Sequence, residues 1–127
     1  GISHENILVD PLVMPIGAIN SAGKQVMHLL RRLREELKVN TTCGASNVSF
    51  GLPHRNGINA AFLPMAMAAG MTSAITNPLH TEVVQAVMGA DVMMGNDPDC
   101  ARWIARYRDQ ASLDGARGNR GRRRRSA

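Results

Sequence analysis

Three polar residues stand where candidate strands end, each followed at once or soon after by a turn: Asp10 before Pro11, Asn47 before Gly51, and Asn77 before Pro78. An Asp in that place can accept two N–H bonds from the edge of a planar heterocycle. It can equally cap its own turn before Pro11. Asn47 carries a donor and an acceptor on one amide, so it could meet a ligand nitrogen in either protonation state. It could also simply tie down its own loop backbone. Gly44 either admits a ligand close to the backbone or relieves a bulge. His4, His28, His54 and His80 are scattered, and with Cys43 and Cys100 they show no metal-ligand spacing. No Gly-x-Gly-x-x-Gly, phosphate-loop or Gly-x-Ser-x-Gly pattern occurs.

The elements that must position these residues can be read by period. Ile7-Leu8-Val9 is a short β-rich run stopped by Asp10-Pro11. Residues 23–39 form an amphipathic helix with Val26, Leu29, Leu30, Leu33 and Leu37 at helical spacing, and Ser21 as its N-cap. Residues 40–51 read as a strand running into a polar loop. Residues 57–71 read as a buried Ala-rich helix, with Pro64 kinking it or shifting its start. Met65, Met67 and Met71 there are core packing. A third strand over 71–76 ends at Asn77-Pro78, and a helix with Val83, Val84 and Val87 as its apolar face follows over 81–88. Asp97-Pro98 opens a last helix through residue 108, with Asp as N-cap and Pro as its first residue. Strands alternating with helices imply parallel pairing with right-handed crossovers. In a (β/α) barrel the carboxyl ends of the strands carry the chemistry.

The chain has 127 residues, enough for one domain and one core. Its net charge of +5 is unevenly spread. Residues 115–127 hold six arginines and no acid, which leaves nine basic and ten acidic residues before them. The basic pI therefore belongs to the tail, and it is weak support for a nucleic-acid-binding fold. No apolar run reaches the ~18 residues of a membrane span, and residues 1–10 show no secretory signal pattern. Two cysteines are too few for a disulfide framework or a Cys-only zinc site. A cytoplasmic location is the default expectation.

The segment Gly44-Ala45-Ser46-Asn47-Val48-Ser49-Phe50-Gly51-Leu52-Pro53, followed by Arg55, Asn59, Phe62-Leu63, Ala66-Met67-Ala68 and Gly70-Met71, resembles one family. It is that of the methyltetrahydrofolate:corrinoid methyltransferases, including the pterin-binding domain of cobalamin-dependent methionine synthase. Residues 7–15, with their Asp-Pro-Leu turn, resemble the family's preceding strand, and residues 73–78 resemble its last one. The resemblance covers about residues 7–95, and the Ser-Asn-Val-Ser core is its most specific part. Pro64 departs from a helix that usually holds Ala or Leu there, and the family's earlier strands have no counterpart.

The resemblance implies an α/β fold, a TIM (β/α)8 barrel of the dihydropteroate-synthase type represented by its last three βα units. The barrel piece would span residues 1–110, with a disordered Arg-rich tail over 111–127. It further implies that Asp10 binds the pterin ring edge and that Asn47 hydrogen-bonds the ring nitrogen bearing the methyl group. Gly44 and Ser46 would lie in the same pterin-facing loop, and Arg55 would be a further substrate-binding residue. The implied activity is methyl transfer between methyltetrahydrofolate and a corrinoid (cobalamin-type) cofactor, with the isolated piece inactive. The Asp-x-His-x-x-Gly pattern of cobalamin-binding domains is absent, so the corrinoid would sit on a partner protein or domain. Other implied partners are the N-terminal part of the barrel and a second copy in a homodimer. No protein-bound metal, membrane or nucleic acid is expected. A different reading is a non-catalytic barrel remnant whose Arg-rich tail binds RNA or other polyanions.

Overall fold

The computed structural model describes residues 1–110, so the Arg-rich tail lies outside the described residues. The described residues form two compact units, Gly1–Ala90 and the residues from Asp91 on.

In the first unit, β1 (Leu8–Val9) pairs in parallel with β2 (Asn40–Thr41), with Leu8 opposite Asn40 and Val9 opposite Thr41. Asn40 N–H donates to Ile7 O at 3.1 Å and Thr42 N–H to Val9 O at 3.0 Å. The expected third strand is present as a single parallel bridge between Gly44 and Ile75, not as a regular strand. Ser73 N–H donates to Thr41 O at 2.9 Å and Ile75 N–H to Cys43 O at 2.8 Å. At the start of this segment side chains replace the ladder. Thr41 N–H donates to Thr72 Oγ1 and Thr72 N–H to Thr41 Oγ1, at 2.9 and 3.1 Å. Two threonine hydroxyls thus take the backbone bonds that a strand would have used.

Three helices cover one face of this small layer. Helix α1 (Ala22–Arg32) buries Ala22, Val26, Met27 and Leu30. It continues as a wider π-helical turn, Leu33–Leu37, which ends at left-handed Lys38. Leu29 and Leu37, expected on the buried face, are 40% and 51% exposed. Ser21 does occupy the N-cap position but makes no side-chain cap bond, because its own backbone is already helical. Its hydroxyl instead accepts a bond from Gln25 Nε2 at 2.9 Å. Helix α2 (Arg55–Ala68) begins two residues before the expected start and runs through Pro64. Helix α3 (Thr81–Met93) extends past its expected end. Val26 and Leu30 from α1, Phe62, Leu63 and Ala66 from α2, and Val83 from α3 meet Cys43, Ala45 and Val48 in one core. The opposite face of the layer is open: Leu8 is 60% and Ile75 is 70% exposed.

In the second unit, Asp97 stands at the N-cap with Pro98 after it, as expected, and its carboxylate also caps the regular helix that starts one turn later. Pro98–Cys100 form a 3-10 turn in which Asp99 and Cys100 take left-handed conformations, and the helix proper, α4, occupies residues 101–110. The buried Asp97 carboxylate accepts the N–H groups of Arg102 and Trp103, each at 3.0 Å. The Arg102 N–H is the main reason its carboxyl is held below the usual range. Trp103 and Tyr107 pack one helical turn apart with their rings tilted at 50° and centroids 4.5 Å from each other. No helix among the described residues is long and apolar enough to cross a membrane.

Gly70 turns the chain from α2 toward the 72–75 segment at a φ of +112°, a backbone that side-chain-bearing residues rarely adopt. A Cβ there would stand 2.7 Å from Arg34 Cβ. Gly70→Ala should therefore lower the unfolding free energy by about 1–3 kcal/mol, read as a shift of the urea midpoint. Coincident midpoints would show that the turn relaxes without strain.

Candidate functional site

The expected residues gather at the carboxyl ends of the parallel segments. Asp10 directly follows β1. Its Oδ1 accepts the Leu12 N–H at 2.8 Å, closing an Asx-type turn. Leu12 takes a left-handed conformation with φ of 59° and is 71% exposed, while Val13 beyond it is buried. A left-handed Leu costs about 1–2 kcal/mol, which the Asx bond and the fixed φ of Pro11 help to offset. Asp10 is exposed, and one bond from Leu12 occupies only part of its accepting capacity.

The polar stretch after β2 is not an open loop but a 3-10 turn, Ala45–Ser49. Its own pattern explains this. Ala45, Val48 and Ser49 are buried, so the turn packs one edge inward and presents Asn47 to solvent with Ser46 half-buried. Val48 O also accepts the Ile16 N–H at 2.9 Å, which ties the segment after Asp10 to the turn. Gly44 precedes the turn at φ −75°, an ordinary value for any residue. A Cβ there would touch Asn47 Nδ2 at 3.5 Å, so the glycine leaves the space beside the Asn47 amide open. The Asn47 side chain makes no hydrogen bond among the described residues, so the reading in which it ties its own loop is not what the geometry shows.

Arg55, at the first position of α2, is turned back onto this same turn. Its Nη2 donates to Ser46 O at 2.6 Å and its Nε to Ser49 Oγ at 3.1 Å. Gly44, Ser46, Asn47 and Arg55 are thus brought into one constellation. Asp10 lies at the same end of the neighbouring strand, with no hydrogen bond to the turn among the described residues. Sequence reading missed Ser49. Its signal was its place in a polar run that must still bury one edge.

Asn77 behaves like Asp10. Its Oδ1 accepts the Leu79 N–H at 2.9 Å, which points its Nδ2 at His80 Nε2, 3.2 Å away. Among the described residues, no three His, Cys, Asp or Glu side chains lie together in a way that could hold a metal ion. Cys43 lies under the layer, fully buried and 3.4 Å from the Met71 sulfur. Burial, and to a lesser degree the nearby Asp10 charge, push its thiol up to about 11.

Residues 1–77 match the family described as pterin binding enzyme, a stretch that contains Asp10, the 3-10 turn, Arg55 and Asn77. A methylcorrinoid:tetrahydrofolate methyltransferase from Eubacterium limosum is 31% identical over 108 residues, 84% of this chain. The chain spans 40% of the length of that relative.

The raised Cys43 value has a direct chemical consequence, since the thiolate is the reactive form. At pH 8, iodoacetamide should label half-buried Cys100 and spare Cys43 until the chain is unfolded in urea. Peptide mass mapping reads the order, and equal labelling of both cysteines in the folded chain would contradict the closed core around Cys43.

Proposed function

The chain belongs to the pterin-binding enzymes, as a member of the methyltetrahydrofolate:corrinoid methyltransferase family, and we propose that it supplies part of the pterin site for methyl transfer between tetrahydrofolate and a corrinoid. The observation that carries this reading is that the matched segment sets Asp10 and an unbonded, outward Asn47 amide at the same end of adjacent parallel strands. In this reading residues 1–110 are the last three βα units of a (β/α)8 barrel and the Arg-rich segment 111–127 is a tail. The uncovered face carrying Leu8 and Ile75 supports this, because parallel sheets are normally covered on both faces. The preceding units would complete the barrel, which is about 250 residues when whole. The protein would work in the cytoplasm, as a homodimer when whole.

The corrinoid, held by a partner protein or domain, supplies the cobalt centre that takes or gives the methyl group. The tasks left to this chain concern the pterin. Asp10 accepts N–H bonds from the ring edge and fixes its orientation, the Leu12 bond keeping the carboxylate turned outward. Asn47 serves the ring nitrogen that bears the methyl group. An amine is a poor leaving group unless the nitrogen gains a proton or a strong hydrogen bond as the bond to methyl breaks. A neutral amide can donate to that nitrogen when it needs a donor and accept its N–H in the reverse direction, without changing charge. Gly44 leaves room for the ring beside the amide, and Ser46 lines the same turn.

Two substitutions test this in the complete barrel. Asp10→Asn replaces an accepting pair of oxygens with an amide that presents donors to donors, and it should weaken tetrahydrofolate binding by about 1.5–3 kcal/mol. Calorimetry showing an unchanged Kd would remove Asp10 from the site. Asn47→Ala should lower the methyl-transfer rate more than it weakens binding, because its bond strengthens as the nitrogen gains charge. Equal losses in rate and affinity would reduce Asn47 to an orienting role.

A further inference from the structure

The turn that carries Asn47 is tied to its neighbours at two backbone points, Ala45 N–H to Ile75 O at 3.0 Å and Ile16 N–H to Val48 O at 2.9 Å, and otherwise rests on short-range bonds. Asn47 N–H donates to Gly44 O at 3.1 Å, Phe50 N–H to Asn47 O at 3.2 Å, and Leu52 N–H to Ser49 O at 3.1 Å. Such i to i+3 bonds have poorer geometry than α-helical ones, and 3-10 runs longer than about 3–4 residues are uncommon. Arg55 adds a second set of bonds from outside the turn. The Ser46 carbonyl accepts Arg55 Nη2 at 2.6 Å and the Ser49 hydroxyl at 3.1 Å, while that hydroxyl itself accepts Arg55 Nε at 3.1 Å. The guanidinium carbon also lies 5.8 Å from the centre of the Phe50 ring. These contacts bracket Asn47, one residue before it and two and three residues after. The bracket rests on a firm base, since α2 buries Phe62, Leu63 and Ala66 in the core.

We infer that Arg55 is a positioning residue: its guanidinium locks the 3-10 turn Ala45–Ser49 so that the Asn47 amide is held outward at the site, and it does not itself touch the substrate. The planar guanidinium is suited to this, because Nε and Nη2 lie on one edge and reach two acceptors at once. A lysine ammonium on a flexible stem could take either acceptor but not hold both in that geometry. The lock is a property of the turn. Only the identity of what Asn47 meets rests on the pterin reading.

Two measurements separate these points. In the full chain, hydrogen exchange reports the lock through the Phe50 and Leu52 amides, which donate within the turn. Arg55→Met should speed their exchange about tenfold while α1 amides stay unchanged, with Arg55→Lys in between. Unchanged exchange at Phe50 and Leu52 would overturn the inference whatever the folate results. Should Arg55→Met unfold the chain, α1 amides would accelerate too, and Arg55→Lys then decides by the same comparison. In the complete barrel, a double-mutant cycle on tetrahydrofolate affinity asks whether Arg55 acts through Asn47. Arg55→Met should weaken binding several-fold when Asn47 is present and have almost no further effect in Asn47→Ala. Additive losses would mean that Arg55 contacts the substrate directly and would overturn the positioning role. A parent barrel that binds no tetrahydrofolate would count against the pterin reading, and the exchange result alone would then decide on the lock.

Discussion

Thr41 holds the parallel layer together, and the candidate site depends on that layer. It is fully buried, and its neighbours in β2 bond to one side while its own groups bond to the other. Asn40 and Thr42 donate toward β1, through Ile7 O and Val9 O. Thr41 N–H turns the other way to Thr72 Oγ1, and its carbonyl accepts Ser73 N–H, Ser73 Oγ and Thr72 Oγ1, all within 2.9–3.0 Å. The alternation is what a strand between two partners requires, since every buried backbone group must find a bond. Two threonines and a serine do at this point what a longer strand would do with backbone alone. The consequence runs three residues on. With Thr41 anchored on both sides, Cys43 and Gly44 are delivered beside Ile75, and the 3-10 turn begins from a fixed point.

Much of the architecture was legible because its signals are local and periodic. Val26 and Leu30 at helical spacing do face the core, and the sequence order of strand and helix predicts the parallel pairing that β1 and β2 make. The departures share one feature: a polar group takes a partner that no period in the sequence marks. Ser21 sits in the cap position, yet its hydroxyl goes to Gln25 because its own backbone is already helical. The third strand loses its regular ladder to the Thr41–Thr72 exchange, across 31 residues. Asp97 caps, but beyond Pro98, because the left-handed Asp99 and Cys100 insert a turn before the helix. In each case the residue type was read correctly and its partner was not.

The site shows the same division. That Asp10 and Asn47 stand at the ends of candidate strands could be seen in the residues. The bonding of Arg55 could not be seen, because an arginine six residues after a serine carries no signal until α2 folds back and sets Nε beside Ser49. Residue alternation adds a further point. The bridge puts Gly44 and Ile75 on one face, and the register places Leu8 on it with Asn40. That is the uncovered face, the one on which Leu8 and Ile75 stay exposed. Thr41 and Cys43 fall on the other face and are fully buried against the helices.

A turn-capping Asp10 and a ligand-facing Asp10 are compatible in this geometry. A carboxylate offers about four lone-pair positions. The turn uses one, on Oδ1, to accept Leu12 N–H. That bond fixes the side-chain torsions, and Pro11 fixes the backbone that follows, so the remaining oxygen lone pairs keep one direction without a ligand to hold them. An unrestrained carboxylate at a strand end would have to lose rotamer freedom on binding, at a cost of several tenths of a kcal/mol or more. Asp10 has lost that freedom already, in folding. The left-handed Leu12 shows where the strain of the arrangement is stored. Such a backbone persists only where its surroundings over-determine it, and here they do: Val9 is paired to Thr41 on one side, Val13 is buried on the other, and the Asx bond spans the gap between them.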